Sequence, residues 1–374
     1  MEAEDKVLVA KEFLNTVHGQ QGCTSCHGGV EPAASRKEAH QGMVAEPSAQ
    51  KDSKCATCHA DAAGTFEMTL HKTSRGIVDL DTGVLAARIN PEKADLLQKA
   101  VDNHCASCHI DQCGDCHVSR PQWSGGGLIQ GHVFQETPNP ILNCTACHGS
   151  RVQKEMLGQG PSDFEPKLKP SVHWVPAGMQ CVECHTKEWI HGPSTEAAVR
   201  YEVKEAPRCE DCHVDDTFYD NAYHKQHAEA DPGKTLLQCQ VCHSQPYNNC
   251  YGCHVGKDDK GLAYFKTDKS EFDFKIGRNP LKSQDRPYDY VVVRHVPVAR
   301  DTFAFYGEDL LSNFDASPTW KYATPHNIVK VAPQAESCGS CHGNEAIFLL
   351  EENVAEDERE ANREVIVPKP PPKF

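Results

Sequence analysis

The sequence predicts a fold of short helices and long loops, with little β-structure, wound around something other than its own side chains. Three observations point there. Only 39% of the 374 residues are apolar and 7% aromatic, against about 45–50% apolar in ordinary globular chains, so a large side-chain core is hard to assemble. Pro (24) and Gly (26) are scattered along the chain and interrupt every candidate element. Twenty cysteines recur in one repeated pattern, which leaves few uninterrupted stretches between them.

In chain order, three segments carry spaced apolar residues with charges at i, i+4: "EDKVLVAKEFLNTVH" (4–18), "PEKADLLQKAVDNH" (91–104) and "EAIFLLEENVAEDEREANREV" (345–365). Each predicts a helix. "DYVVVRHVPVA" (289–299) is rich in β-branched residues and predicts a strand. The longest stretch without a cysteine motif contains Tyr264, Phe265, Phe272, Phe274, Phe303, Phe305, Tyr306, Trp320 and Tyr322, expected to pack a small lobe rather than a substrate pocket. The final "VIVPKPPPKF" favours extended polyproline backbone, either disordered or docked on another subunit.

Lys plus Arg number 38 against 53 Asp plus Glu, a formal charge of -15. A nucleic-acid partner is therefore not expected. No run of apolar residues approaches the length of a membrane span. The first residues, "MEAEDKVLVAKEF", are acidic with a four-residue apolar run, unlike a signal peptide.

All twenty cysteines fall into ten Cys-x-x-Cys-His groups: Cys23/Cys26/His27, Cys55/Cys58/His59, Cys105/Cys108/His109, Cys113/Cys116/His117, Cys144/Cys147/His148, Cys181/Cys184/His185, Cys209/Cys212/His213, Cys239/Cys242/His243, Cys250/Cys253/His254 and Cys338/Cys341/His342. Disulfides or paired zinc sites would explain the cysteine spacing. Neither explains His after every second Cys, an arrangement that chance would produce ten times over with a probability below about one in a trillion. Covalent haem c explains each position. The two thiols add to the vinyl groups on one edge of the porphyrin, and the next residue brings its imidazole to the iron. Ten covalently attached haems, with proximal ligands His27, His59, His109, His117, His148, His185, His213, His243, His254 and His342, are predicted. The fold class becomes a multihaem cytochrome c: loops and short α-helices wrapped around a chain of closely packed haems. Adjacent motifs such as "CASCHIDQCGDCH" (105–117) require neighbouring rings.

Eleven histidines lie outside the motifs. His18, His40, His71, His104, His132, His173, His191, His224, His227 and His326 are the distal-ligand candidates, giving bis-histidine coordination at every iron. His295 is the surplus, or a ligand offered to another subunit. Five methionines, Met1 included, are too few to serve as general distal ligands. The absence of His/Met ligation predicts low potentials.

The order of motifs and spare histidines predicts a pentahaem internal duplication. Between first cysteines the spacings are 32, 50, 8 and 31 residues in one half and 28, 30, 11 and 88 in the other. His132 and His326 each stand twelve residues before a motif, at Cys144 and Cys338. The expected organisation is a first half at 1–160 and a second at 161–350 with a motif-free insertion at 255–337. An acidic, then Pro-rich tail follows at 351–374.

The ten motifs, spanning residues 23–342, resemble the multihaem c-type cytochromes, and the five-plus-five arrangement is similar to decahaem electron-transfer proteins of metal-respiring and other anaerobic microbes. The resemblance implies export to the periplasm or beyond the cell, so that the sequence would be a mature form without its signal. No cysteine is spare for a lipid anchor. It implies as partners donor and acceptor redox proteins or extracellular electron acceptors, and in some relatives polymerisation into filaments in which a histidine of one subunit ligates a haem of the next. The expected activity is electron conduction with no catalytic residue. The alternative is a multihaem reductase of nitrite, hydroxylamine or a sulfur oxyanion with one open iron position.

Overall fold

The computed structural model describes residues 9–49, 54–105, 112–121, 124–192, 197–204, 206–214, 220–227, 236–249 and 272–373. Cys108, His109, Cys250, Cys253, His254, Tyr264 and Phe265 lie outside the described residues, as do the side chains of His104 and Cys105.

Short helices dominate, and many of them are the motifs. Helices cover Cys23–His27, Gly114–His117, Thr145–His148, Cys181–Cys184, Cys239–His243 and Cys338–Cys341, and 3₁₀ turns cover Lys54–Thr57 and Cys209–Asp211. The physical reason is local. Two cysteines at i, i+3 share a face of one helical turn. The histidine amide then closes that turn on the first cysteine carbonyl, at 2.9 Å for His59, 3.0 Å for His117, 2.9 Å for His185 and His213, and 2.8 Å for His342. After His27 the turn is ended by Gly28 at φ 68°, where a Cβ would meet the Gly42 carbonyl oxygen at 2.9 Å.

The segment 91–104 is helical as its pattern predicts. Pro91–Lys93 forms a 3₁₀ turn whose Glu92 amide is accepted by the Asn90 side chain, Ala94–Ala100 is α-helical, and Leu97, Ala100 and Val101 are buried. The helix expected at 4–18 is reduced, within the described residues, to a 3₁₀ turn at Lys11–Asn15. Thr16 ends it: its hydroxyl donates to the Phe13 carbonyl at 2.7 Å and accepts the Gly19 amide at 3.0 Å, taking the backbone groups a helix would need.

The helix expected at 345–365 is broken into 3₁₀ turns at Glu345–Ile347, Glu351–Asn353 and Glu356–Glu358 and one helix at Arg359–Asn362. Its apolar residues are claimed by a sheet instead. The Leu349 amide donates to Ile276 and the Val367 amide to Leu349, both at 2.8 Å.

That sheet is antiparallel: β3 (Lys275–Arg278), β4 (Tyr290–His295) and β5 (Trp320–Tyr322), with Ile276 opposite Val292 and His295 opposite Trp320. β4 is the strand read at 289–299. A two-stranded pair, β1 (Tyr247–Asn248) and β2 (Phe272–Asp273), stands apart from it in pairing. Val241, Tyr247, Phe274, Ile276, Val292, Ala323, Phe348 and Val367 form a core against which Cys242 and Cys341 pack. The small aromatic lobe thus exists, although Phe305 is exposed. The C-terminal tail, expected to be disordered or docked elsewhere, instead folds back on its own chain. Val365 and Val367 are buried, and Gly343 donates to the Pro371 carbonyl at 2.8 Å.

Contacts group the chain into two units: Met1–Val78 with Cys105–Gly149 and Cys181–Glu205, and Asp79–His104 with Ser150–Gln180 and Ala206–Phe374. The first carries motifs one to six in its sequence, yet its buried apolar side chains among the described residues are Phe66, Pro121 and Ala197. The second holds the valine-rich sheet core. Among the described residues no helix is long and apolar enough to cross a membrane.

Candidate functional site: paired imidazoles and clustered thiols

The described motif turns place their histidines at or beside the end of a short helical turn, and in four of them flanking backbone meets the ring. The Nδ1 of His27 contacts the Val44 carbonyl at 2.7 Å, that of His117 the Gln135 carbonyl at 2.7 Å, that of His243 the Val329 carbonyl at 3.2 Å and that of His342 the Pro372 carbonyl at 3.2 Å. Two histidines outside the motifs do the same one helical turn back: His191 to Lys187 at 2.9 Å and His227 to Tyr223 at 2.8 Å. A ring nitrogen that donates to a carbonyl leaves its Nε2 lone pair for a metal. Burial lowers the pKa of His117, His173 and His243, which keeps these imidazoles neutral and able to ligate.

Among the described residues seven imidazole pairs follow, and each joins one motif histidine to one histidine outside the motifs. The ring centroids of His18 and His59 are 6.2 Å apart, His27 and His132 5.9 Å, His71 and His148 6.4 Å, and His117 and His191 6.0 Å. Those of His173 and His213 are 6.2 Å apart, His224 and His243 6.1 Å, and His227 and His342 6.3 Å. The interplanar angles scatter from 18° to 80°. A narrow distance with a free angle is what two rings show when each points an edge at a common atom; rings packed on one another would fix both. With a metal–nitrogen bond of about 2.0 Å and a centroid about 1.1 Å beyond it, two imidazoles on opposite sides of one ion lie about 6 Å apart. The residues present therefore fit haem iron held between two histidines.

The remaining candidates are placed differently. His40 caps the Arg36–Ala39 helix. His326 lies beside Glu155: its amide donates to Oε2 at 2.8 Å and its Nδ1 is 3.8 Å from the same oxygen. His295 stacks on Trp320 at 4.9 Å and holds the Glu358 carboxylate at 3.0 Å, the position of a packed structural histidine.

Thiols of different motifs come together. Cys113 and Cys55 share a hydrogen bond, as do Cys144 and Cys181, and Cys239 and Cys209. These contacts, with burial, raise the Cys113, Cys144 and Cys239 thiols, whereas Cys209 is lowered by its bond with Cys239. Burial pushes Cys116 up to about 11, with a further contribution from Asp115 and Cys147, and pushes Cys242 up to about 11, with a smaller contribution from Cys341. A zinc site needs four converging donors and thiolate character. Among the described residues the one metal-like cluster has three members, Cys209, Glu210 and Cys239. All sixteen described cysteines are free of disulfides.

Cys23, Cys26, Cys58, Cys184, Cys212 and Cys338 are not among the thiols just named, and three of them, Cys26, Cys58 and Cys212, are the second cysteines of motifs one, two and seven. Cys26 is half-buried with Ser25 Oγ 3.8 Å from its sulfur, and Cys58 and Cys212 are exposed. The amides of Cys58 and Cys212 donate back to the Cys55 and Cys209 carbonyls, both at 3.2 Å, while the first cysteines, Cys55 and Cys209, meet Cys113 and Cys239 of neighbouring motifs. The sequence alone treats the two cysteines of a motif as equivalent; their surroundings are not.

Three residues around the histidines and thiols escaped sequence reasoning. Glu155 is buried, and burial pushes its pKa up, but His326 and Arg294 overcome that and hold the carboxyl below the usual range. Glu210 accepts from Tyr288. Trp189 lies 4.6 Å from His185 and 6.5 Å from His71, ring to ring. No local pattern distinguishes these three, because what matters is a long-range approach.

No family model matches the chain, and no curated protein matches it. Among solved structures, an octahaem cytochrome c of Shewanella oneidensis is similar at 15% identity, covering 86% of this chain and 95% of that one, with a TM-score of 0.43.

Proposed function

We propose that this chain is an electron-transfer protein that binds ten haems c through its Cys-x-x-Cys-His motifs, each iron closed by two histidines. The observation that carries this reading is the set of seven imidazole pairs near 6 Å, each with one motif member and one spare member. Bound haem supplies a one-electron ferric/ferrous couple.

The protein's residues do the rest. Paired thiols anchor the porphyrin edge, carbonyl-bonded imidazoles are held in one orientation, and distal histidines deny the iron to small molecules. Filling both axial positions favours a carrier over a reductase. Thiol hydrogen bonds at Cys55/Cys113 and Cys144/Cys181, with the electrostatic influence of Cys147 on Cys116, suggest an order of neighbours: motifs two, four, five and six in one unit. In the other unit the Cys209/Cys239 hydrogen bond and the packing of Cys242 and Cys341 against one core bring together motifs seven, eight and ten. Motif one approaches motif two through Phe13, which lies 5.4 Å from His132 and 6.1 Å from Phe134, itself stacked on His18 at 4.2 Å.

Export, redox-protein partners and self-association into filaments belong to the same proposal. The test is the intact mass and electron paramagnetic resonance of protein made in a host competent for cytochrome maturation. Ten added haems, all low-spin and indifferent to carbon monoxide or nitrite, are expected. A high-spin iron that binds these ligands would assign a reductase instead, and a mass with no haem would end the reading.

A further inference from the structure

We propose that the proline-rich segment 368–373 is a strap that positions the motif-ten histidine: the Pro372 carbonyl fixes the His342 ring and lowers the potential of the haem held between His227 and His342. The inference rests on the haem reading above and names what orients one of its ligands.

The centroids of His227 and His342 are 6.3 Å apart. Both rings meet a backbone carbonyl at Nδ1, but the two carbonyls come from different sources. His227 reaches Tyr223 one turn back on its own helix, Ala222–His227. The helix Cys338–Cys341, by contrast, ends before His342, whose backbone at φ -66° and ψ 122° is extended. Its ring is met by Pro372, 30 residues along the chain, at 3.2 Å.

The sequence of the segment suits it to this task. Val365 and Val367 are buried, the Val365 carbonyl accepts the Arg278 amide and the Val367 amide donates to Leu349, both at 2.8 Å, so the strap leaves the sheet core at a fixed point. Pro368, Pro370, Pro371 and Pro372 have no N–H and a restricted φ. A proline run makes no internal hydrogen bonds, which leaves its carbonyls to accept from elsewhere. Two successive ones do so on two successive residues: Pro371 takes the Gly343 amide at 2.8 Å, and Pro372 takes the His342 Nδ1–H. Gly343 permits the close approach. It stands at φ 74°, and a Cβ there would collide with the Lys373 side chain.

An Nδ1–H that donates to a carbonyl makes its imidazole a stronger donor to iron, which favours the ferric state. Because prolines have few alternative conformations to lose, they hold that acceptor in place at small entropic cost.

The test is a redox titration of the full haem-loaded chain, read with its low-spin spectra. His227→Met first marks the component that belongs to this haem. A chain ending at Lys369 keeps Val365 and Val367 but loses the strap. It should raise the marked component, by up to about tenfold in its ferric/ferrous ratio at fixed poise, equal to about 59 mV for one electron. A chain ending at Pro372 puts a terminal carboxylate where the neutral carbonyl stood, and should lower the same component below its value in the full chain. Pro370→Gly/Pro371→Gly, which keeps every carbonyl but frees the backbone, should raise it by less than the Lys369 chain does. A component unmoved in the Lys369 chain, or moved the same way in both shortened chains, with all haems present and amide protection of β3 and β4 retained, would overturn the proposal. Should the Lys369 chain lose that protection, the sign of the shift in the Pro372 chain decides alone. Absence of haem from the unmutated chain, or His227→Met that moves no component, would fail the underlying reading instead.

Discussion

The imidazoles of His117 and His191 face each other at 6.0 Å with their planes 18° apart, and each Nδ1 meets a backbone carbonyl, Gln135 for one and Lys187 for the other. The pairing joins a motif of the first sequence half to a spare histidine of the second, so neighbours in space are not neighbours in sequence. His191→Ala should therefore open one iron only. The expected outcome is an unchanged haem mass, because the thioethers remain, with one high-spin iron and one bound carbon monoxide per chain. Spectra that stay wholly low-spin would remove His191 from the ligand set.

The unequal distribution of side-chain core predicts how the protein behaves without haem. The first unit buries only Phe66, Pro121 and Ala197 among its described apolar side chains, whereas Val291, Val292 and Val293 of the second are fully buried. If each porphyrin removes roughly 500 Å² of apolar surface from water, its burial contributes on the order of 10 kcal/mol, more than the side chains of the first unit can replace. Chain made without cytochrome maturation should lose amide protection throughout residues 9–49 and 54–78 and keep some in β3, β4 and β5. Equal protection in both regions, measured by hydrogen exchange, would contradict this.

Much of this arrangement was legible in the sequence, for stated reasons. The motif turns could be read because Cys-x-x-Cys-His is closed by a local bond, as at His117 N to Cys113 O. β4 could be read from its valines, and 91–104 from its apolar spacing. The pairing of His71 with His148, or of His227 with His342, could not, because the partner imidazole is delivered by tertiary approach rather than by spacing. The difference between Cys55, which meets Cys113, and the exposed Cys58 of the same motif is hidden for the same reason. The segment 345–365 misled for a related one: its helical pattern is real, but Ile276 offers Leu349 a strand partner that the local sequence does not reveal.

Lys321 gives a pH prediction. Burial pushes its ammonium down to about 8, with Arg88 adding to the effect, and its nearest acceptor is Ser317 Oγ at 3.4 Å. The folded pKa lies below the unfolded value of about 10.4, so between pH 8 and 10 the unfolded chain binds more protons than the folded one. Stability from this group therefore rises with pH across that window and is smallest below it. Lys321→Met should stabilise the protein at pH 7 by about 2–3 kcal/mol and flatten the pH dependence between 8 and 10, read from denaturant midpoints of the haem-loaded chain. A midpoint that falls on substitution would mean that the ammonium has a compensating partner.

His295 separates a structural histidine from a ligand. Its ring stacks on Trp320, its Nε2 holds Glu358, and Glu358 also accepts from Thr319 at 3.0 Å, while Asn362 donates to Thr319 Oγ1 at 2.8 Å. Glu358 is 7% exposed, so a lost partner leaves a buried carboxylate with less than its full set of hydrogen bonds. His295→Phe keeps the stacking surface and removes the polar contact. We expect a loss of about 1–3 kcal/mol in stability, with haem mass, low-spin spectrum and every resolved potential unchanged. His295→Gln, which retains a donor, should recover part of the stability. If instead the phenylalanine variant alters the low-spin spectrum, or disperses higher oligomers while its folding midpoint stays in place, then His295 serves an iron in this chain or a neighbouring copy, and Trp320 and Glu358 merely hold it ready.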